Sequence, residues 1–374
     1  MVRKKILCVV ALFSLLALPV AAIAQRPWSQ PIESPVVHPD RTVTFTFKAP
    51  NATLVELNSQ FLKGPQVMTR DTAGVWSVTV GPAESNFYPY FFVVDSVMVP
   101  DPNNAEFFPN ERFKSSMVDI PGETPAIYAV QDVPHGEITH CYYKSKSMNI
   151  LRPLLIYTPP GYREGGKKYP VFYLISGTTD TEETWYRVGR VNFILDNLIA
   201  QKKAVPMIVV MPYGNTLTGT PDPSSLKAAD MYKVFDSDLT GSIMPFVEGN
   251  YRTIADRESR AVAGFSRGGG QALFAGFNNL DKFAWICSYA AFIMPEVFEK
   301  YFAGVYAKPE ETNERIKLLW LGVGTEDFLY TRAVAFNDLL KEKKIAQKNL
   351  ITGGGHTWMN ARHYVTETVQ MFFK

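Results

Sequence analysis

Apolar and polar residues alternate in several short stretches of the first third of the chain. Residues 43–47 alternate valine or phenylalanine with threonine, and a second alternation covers residues 75–80. Two further apolar stretches, 87–94 and 97–99, flank a pair of small polar residues that is typical of a hairpin turn. A period of two indicates half-buried strands. The spacing of these strands predicts an all-β, immunoglobulin-like sandwich over residues 25–122.

From about residue 126 onwards, continuous apolar segments alternate with segments of helical periodicity. The predicted strands include residues 171–175, 207–211, 260–264 and 318–323, and the predicted helices include 191–201, 239–250, 332–343 and 358–373. Strands that alternate with helices predict a mainly parallel sheet with helices on both faces. We place this second domain at residues 123–374, after a linker at 121–125 that contains proline and glycine.

The N-terminus has the composition of a secretory signal peptide. Three basic residues at positions 3–5 precede an apolar stretch at residues 6–20, and the A-x-A sequence at residues 22–24 matches a cleavage site. We therefore predict a signal peptide at residues 1–24 and an exported protein, either periplasmic or extracellular. No other stretch is long and apolar enough to predict a membrane span.

Charge and cysteine content exclude several functional classes. The chain has 38 basic and 36 acidic residues, and three of the basic ones lie in the predicted signal peptide. Without a basic excess we expect no nucleic-acid partner. Cys141 and Cys287 remain after cleavage, and we favour buried free thiols over a disulfide. The chain has no C-x-x-C pair and no histidine pair at ligand spacing, so we expect neither a metal nor a cofactor.

A G-x-S-x-G pentapeptide at residues 264–268 is the first candidate for chemistry. It follows the predicted strand 260–264 and opens a helical segment, which is the context of a nucleophile elbow. Ser266 is then the nucleophile, and the backbone N–H of Arg267 faces the developing oxyanion. The alternative is a glycine-rich helix start with Ser266 as its N-cap.

A serine hydroxyl needs a base, and the base needs an acid to orient it. His356 follows three glycines and precedes the last predicted helix, so it is the candidate base. Asp327 follows the predicted strand 318–323, and the order Ser266, Asp327, His356 is that of α/β-hydrolases. Glu326 is a neighbouring rival for the acid, and helix capping is the alternative role for Asp327.

Several segments together resemble one family of esterases. They are residues 190–199, 206–212, 257–269 and 353–358. They are similar to the family that includes esterase D and the feruloyl esterases, carbohydrate esterase family 1, and the match covers residues 126–374. The first domain resembles an early-set, glycogen-binding-like sandwich through residues 43–51, 74–81 and 101–104, so it is a possible carbohydrate-binding module. The pair resembles secreted esterases of Bacteroides-type gut bacteria.

The resemblance implies an α/β-hydrolase domain that hydrolyses carbohydrate-linked esters through a Ser-His-Asp acyl-enzyme mechanism. The partners it implies are plant cell-wall polysaccharides or oligosaccharides, with feruloyl esters of arabinoxylan as the first expectation. An acetyl xylan esterase, an enterochelin-type siderophore esterase and a non-catalytic glycan-binding protein remain alternatives.

The chain departs from the family pattern at two positions. The family has His-Gly where this chain has Ser176-Gly177, and the second oxyanion donor is then the backbone N–H of Thr178 or Gly177. The family has methionine where this chain has Arg267, which is either a preference for an acidic substrate or a structural ion pair. Trp185, Tyr213 and Trp358 are the expected substrate-binding aromatic residues, because all three lie near the predicted site.

Overall fold

The computed structural model describes residues 31–217 and 228–374. The predicted signal peptide at residues 1–24 therefore lies outside the described residues. Within those two ranges no helix has both the length and the apolar character needed to cross a membrane. The described chain forms antiparallel sheets up to residue 120, followed by one large mixed sheet with helices.

The first part of the described chain consists of antiparallel strands. They are β1 (Val36–Val37), β2 (Val43–Lys48), β3 (Val55–Ser59), β4 (Gln66–Val67), β5 (Thr69–Arg70), β6 (Val75–Val80), β7 (Asn86–Val94), β8 (Val97–Val99), β9 (Phe107–Phe108) and β10 (Ser115–Ile120). One sheet has the order β1-β2-β6-β5. The other has the order β4-β3-β7-β10-β9, and β8 pairs with β7.

These two sheets enclose one apolar core. Residues of β2 alternate between buried and partly exposed positions, as the period of two predicts. Phe45 of β2 packs against Tyr90 of β7 with ring centroids 4.7 Å apart, and Phe47 packs against Phe92 at 4.8 Å. These contacts show that the two antiparallel sheets form a sandwich. Its immunoglobulin-like topology and the domain boundary at residue 122 stay predictions.

The second part of the described chain is built on eight strands. They are β11 (Glu137–Lys144), β12 (Leu151–Thr158), β13 (Val171–Ile175), β14 (Ile208–Pro212), β15 (Arg260–Phe265), β16 (Trp285–Tyr289), β17 (Leu318–Gly324) and β18 (Lys348–Thr352). Their order is β11-β12-β14-β13-β15-β16-β17-β18. The pairs β11–β12 and β12–β14 are antiparallel, and every pair from β14 to β18 is parallel.

Helices cover this sheet on both faces. They are α1 (Thr184–Arg187), α2 (Val191–Ala200), α3 (Ala228–Asp238), α4 (Met244–Asn250), α5 (Arg267–Asn278), α6 (Pro295–Tyr301), α7 (Ala303–Ala307), α8 (Pro309–Arg315), α9 (Tyr330–Glu342) and α10 (Trp358–Val369). A π-helical turn, Leu239–Ile243, joins α3 to α4. Every residue of β13 is fully buried, with Phe172 and Leu174 in one core and Val171, Tyr173 and Ile175 in the core on the opposite face.

The two cysteines of the described chain are not bonded to each other. Cys287 lies on β16 and is fully buried, and burial raises the pKa of its thiol. Cys141 lies on β11 and is partly exposed, with its sulfur 3.3 Å from the Tyr251 hydroxyl. Both thiols are free, as expected, but only Cys287 is buried.

A buried arginine joins the antiparallel sheets to the last helix. Arg362 of α10 donates from Nη1 to the carbonyl oxygen of Val188, at 2.8 Å. Its Nη2 donates to Asn86 Oδ1 at 2.7 Å and to the Phe87 carbonyl oxygen at 2.8 Å. Phe87 and Met117 also belong to the apolar core of the mixed sheet. The core is therefore continuous across the seam between the two parts.

The loop after β9 forms a second connection, next to the end of β13. Glu111 N–H donates to the Thr179 carbonyl oxygen at 2.7 Å, and Asn110 Nδ2 donates to Thr179 Oγ1 at 3.0 Å. Thr184 Oγ1 donates to the Pro109 carbonyl oxygen at 3.0 Å. The antiparallel part therefore holds the loop that follows β13, at the carboxyl edge of the parallel strands.

Candidate active site

Ser266 sits at the sharp turn between β15 and α5. Its backbone has φ 55° and ψ −123°, a conformation that L-residues rarely adopt. A Cβ on Gly264 would lie 2.3 Å from the carbonyl carbon of Gly268, and a Cβ on Gly268 would lie 2.4 Å from the Ile175 carbonyl oxygen. The two glycines are thus required by close backbone packing, which holds the serine in its strained conformation.

His356 and Asp327 form a hydrogen-bonded pair at the same edge of the sheet. His356 Nδ1 lies 2.8 Å from Asp327 Oδ2, and the aspartate side chain is fully buried. The backbone N–H of Leu329 donates to Asp327 Oδ1 at 2.8 Å and fixes the carboxylate. With its proton on Nδ1, a neutral imidazole keeps Nε2 as a proton acceptor. Glu326 is exposed, so its position does not favour it as the acid.

The candidate oxyanion donors come from the start of α5 and the loop after β13. Gly177 N–H already donates to Asp180 Oδ2 at 2.9 Å, which favours Thr178 as the partner of the Arg267 N–H. Ser176 donates its hydroxyl to the Thr181 carbonyl oxygen at 2.9 Å. At the position where the family has a histidine, this chain therefore has a serine that is hydrogen-bonded to the backbone of the same loop. The assignments of Ser266, Asp327, His356, Arg267 and Thr178 to catalysis stay predictions.

Asp180 is a buried carboxyl on this same loop, two residues after Thr178. Burial raises its pKa to about 7, and hydrogen bonding to the Gly177 N–H and the positive charge of Arg267 oppose that rise. Asn110 Nδ2 lies 3.4 Å from its Oδ1 atom. The loop that supplies Thr178 therefore carries a titratable group.

Two cavities meet at Ser266. We call the first the His356 cavity, with a volume of about 690 Å³, because His356, Trp358 and Phe328 line it. Residues of the antiparallel part form its opposite wall: Asn58, Ser59, Gln60, Pro89, Phe91 and Phe113. We call the second the Arg267 cavity, with a volume of about 300 Å³; Asn215, Tyr232 and Arg332 line it together with Arg267. Ser266 and Thr178 border both cavities.

The structure corrects one of the three predicted substrate-binding aromatic residues, Trp185. Trp185 is only 1% exposed, and its Nε1 donates to the Ile175 carbonyl oxygen, so the ring packs in the core. Tyr213 donates its hydroxyl to Glu111 at 2.7 Å and lies against the Arg152 guanidinium; it is not among the described lining residues of either cavity, and its role in substrate binding stays a prediction. Trp358 lines the His356 cavity through the small part of its ring that is exposed.

Sequence reasoning missed the aromatic residues that face the His356 cavity. Phe328 is 76% exposed, and its ring centroid lies 4.6 Å from that of His356. Phe113, on the loop before β10, is 39% exposed on the opposite wall. Phe328 directly follows the predicted acid Asp327 in the sequence, and that position was a usable signal. No local pattern indicated Phe113, which reaches the site only through tertiary packing.

Among the described residues, no group of three or more His, Cys, Asp or Glu side chains is placed to hold a metal ion. The arrangement supplies a strained serine, an oriented imidazole and backbone N–H donors. Those three features are the ones that serine-dependent attack on an ester carbonyl uses.

Comparisons with known proteins place the chain in a family. The family model described as "Putative esterase" matches residues 145–365. The chain belongs to this esterase family. A curated relative, endo-1,4-beta-xylanase/feruloyl esterase of Xylanibacter ruminicola, is 30% identical over 363 residues, which cover 93% of this chain and 47% of the relative. The esterase chain thus spans about half the length of that relative.

Solved structures show the same fold as this esterase. A ferulic acid esterase from Anaeromyces mucronatus, in complex with ferulic acid, is 22% identical with a TM-score of 0.57, covering 67% of this chain and 96% of that one. The enterobactin esterase of Shigella flexneri is 18% identical with a TM-score of 0.63, covering 88% of this chain and 92% of that one. Together with the mixed sheet, they show a fold of the α/β-hydrolase type.

Proposed function

We propose that this chain is an exported serine esterase that hydrolyses feruloyl esters of arabinoxylan or its fragments. The observation that supports it most is the His356–Asp327 hydrogen bond of 2.8 Å, with both His356 and Ser266 on one cavity. Export rests on the predicted signal peptide, and the substrate class on the resemblance of the sequence and on the curated relative.

The proposed reaction proceeds in two steps. His356 Nε2 takes the proton of the Ser266 hydroxyl while its oxygen attacks the ester carbonyl, and the Arg267 and Thr178 N–H groups stabilise the oxyanion. The ester C–O bond then breaks, and His356 gives its proton to the leaving alcohol. Water, deprotonated by His356, attacks the acyl-enzyme and releases the acid and Ser266.

The two cavities suit the two halves of such an ester. The leaving oxygen receives a proton from His356, so the alcohol lies in the His356 cavity and the acyl group in the Arg267 cavity. Exposed Phe328 and Phe113 on facing walls suit the apolar face of a sugar ring. An acetyl group would leave most of a cavity of about 300 Å³ unfilled, whereas a cinnamoyl-type acid fills far more of it.

The test compares methyl ferulate, acetylated xylooligosaccharides and feruloylated arabinoxylan fragments by kcat/KM. Burial of the aromatic ring in the Arg267 cavity predicts that kcat/KM for the feruloyl ester exceeds that for the acetyl ester by about tenfold or more. Ser266→Ala and His356→Ala should each remove nearly all turnover while leaving the circular dichroism spectrum unchanged. A preference for acetyl esters would overturn the feruloyl assignment, and turnover that survives Ser266→Ala would overturn the serine mechanism.

A further inference from the structure

The sheet that contains β3 and β7 lines the His356 cavity with one of its faces. Val55 and Leu57 of β3 point into the apolar core of the sandwich, whereas Asn58 lies on the opposite face and is partly exposed. Gln60 follows β3 directly, and its N–H donates to the Pro89 carbonyl oxygen at 3.2 Å. Asn58 and Gln60 both line the cavity. The antiparallel part therefore places two side-chain amides on the cavity that His356 lines.

The side chains of Asn58 and Gln60 are open to solvent, and their amides have no hydrogen-bond partner among the described residues. Asn110, which also lines the cavity, differs because it is buried and its Nδ2 already donates to Thr179 Oγ1 at 3.0 Å. A side-chain amide offers two N–H donors and a carbonyl acceptor. A ligand that enters the cavity can therefore replace water with direct hydrogen bonds at both positions.

The His356 cavity has the electrostatics of a site for a neutral ligand. In the part of the chain that the structure describes, no lysine or arginine lines it, whereas Arg267 and Arg332 line the other cavity. Asp180 lines it, but that carboxyl is buried and accepts from the Gly177 N–H. An anionic alcohol would find no opposite charge there. A neutral alcohol with several hydroxyl groups matches the two amides, because each hydroxyl both donates and accepts.

Aromatic side chains supply an apolar surface next to the amides. Phe91 of β7 is directly opposite Asn58 in the antiparallel register and lines the cavity. Phe113 and Phe328 line it as well, and both are exposed. A pocket with apolar walls and a few polar groups orients its ligand through those polar groups. A sugar ring fits both features, since it carries hydroxyl groups at its edge and C–H groups on its faces.

We propose that Asn58 and Gln60 determine specificity for the alcohol, by binding hydroxyl groups of the neutral sugar that carries the ester. In the proposed reaction the leaving alcohol lies in the His356 cavity, so both amides contact the substrate on the side of the ester oxygen that His356 protonates. The assignment rests on the proposed function and deepens it: the antiparallel part recognises the sugar within the catalytic cavity itself.

The experiment compares two esters of the same acid, feruloylated arabinoxylan fragments and methyl ferulate. Hydrogen bonds to the sugar predict that the wild type favours the fragments in kcat/KM by about tenfold or more. Asn58→Ala and Gln60→Ala should each lower this ratio by about 3- to 10-fold. The loss should appear mainly in KM for the fragments, because hydroxyl groups away from the reacting bond are bound equally in the ground state and the transition state. Asn103→Ala and Gln66→Ala change exposed residues outside the described cavity lining, so these matched controls should keep the wild-type ratio.

Each result decides the proposal. A wild-type ratio near one overturns it even if a variant fails to fold, and so does an unchanged ratio in folded Asn58→Ala and Gln60→Ala. An equal loss on both esters would also overturn it, because the amides would then act on the acid or on the fold. If the wild type hydrolyses neither ester faster than Ser266→Ala does, the proposed function itself fails. Calorimetric titration of ester-free arabinoxylan oligosaccharides then decides: binding that Asn58→Ala weakens supports the sugar assignment, and absence of binding overturns it.

Discussion

Ser266, His356 and Asp327 each have a position that their immediate neighbours impose. The serine is strained because Gly264 and Gly268 bring the backbone together, and the aspartate is fixed by the Leu329 N–H. The imidazole lies between the rings of Phe265 and Phe328, with centroid distances of 4.7 and 4.6 Å. Packing thus orients the imidazole ring, and one hydrogen bond selects its tautomer.

Asp180 predicts how stability depends on pH. In the unfolded chain an aspartate ionises near pH 4, whereas burial raises the pKa of Asp180 to about 7 in the folded state. Between these values the folded state keeps a proton that the unfolded state loses, so this contribution to stability is complete below pH 4. It is lost as the pH rises through 7. The loss amounts to a few kcal/mol, because each tenfold difference in proton affinity between the two states corresponds to about 1.4 kcal/mol.

Asp180→Asn should remove this dependence, because the amide oxygen still accepts from Gly177 but does not ionise. We expect the melting temperature of the variant to rise relative to that of the wild type between pH 5 and pH 8. Asp132→Asn, on the surface, is the control and should follow the wild type. Parallel curves for Asp180→Asn and the wild type would contradict the predicted ionisation.

At the residue scale, the sequence predicts a candidate triad where the chemistry requires a fixed order and local glycines, and the catalytic roles of its members stay predictions. Ser266, Asp327 and His356 follow from the motif, the order of the three residues and the strand ends, and the structure brings the last two into contact. Trp185 is wrong as a substrate-binding residue, because the sequence gives the segment on which a ring lies and not the direction in which the ring packs. Trp185 faces Trp358 and Tyr289 in the core.

The loop between β9 and β10 is hydrogen-bonded to the loop that follows β13, which carries the proposed oxyanion donor Thr178. Asn110 bonds to Thr179, which has a positive φ of 65°, and lies within reach of Asp180. These contacts hold the two residues that directly follow Thr178. Asn110 is therefore a positioning residue for the proposed oxyanion site.

Asn110→Ala should lower kcat for p-nitrophenyl acetate by about tenfold or more, since a displaced oxyanion donor loses much of its effect. KM should change less than kcat, because the Asn110 side chain is buried and its amide nitrogen donates to Thr179 on the loop. Asn103→Ala, an exposed asparagine earlier in the same part, is the matched control. A change in KM with kcat preserved would assign Asn110 to substrate binding instead.

Elements with strong periodicity are predicted well and short ones are not. The helix expected at 191–201 is α2, Val191–Ala200, and the strand expected at 318–323 is β17, Leu318–Gly324. The helix α1 has only four residues, and a helical period can be recognised in a sequence only over about two turns. The antiparallel pairing of β12 with β14 has no local signal, because strand order depends on contacts distant in sequence.

The seam at Arg362 makes the two parts of the molecule depend on each other for stability. Burial lowers the pKa of its guanidinium to about 10, so it remains charged at neutral pH. The guanidinium donates to two backbone carbonyl oxygens and to one side-chain amide oxygen, and all three acceptors lie outside α10. Without the charged donor, the Val188 and Phe87 carbonyl oxygens lose this hydrogen bond, and Asn86 Oδ1 keeps the one from the Phe87 N–H.

Arg362→Met should lower the free energy of unfolding by about 2–5 kcal/mol, because methionine fills the volume without donating. Chemical denaturation measures this loss. Arg163→Met removes an exposed ion pair with Glu137 and should change stability by no more than about 0.5 kcal/mol. Equal denaturation midpoints for the two variants would show that the seam contributes little.

The two cavities that meet at Ser266 have different origins within the chain. The wall opposite His356 comes from residues before position 120, whereas the side chains around Arg267 come from the mixed-sheet part. Under the proposed placement of the alcohol in the His356 cavity, substitutions at Asn58 or Gln60 should therefore alter which alcohols fit and leave the fit of the acid unaffected. The preference for the alcohol and the preference for the acid are then able to change independently of each other.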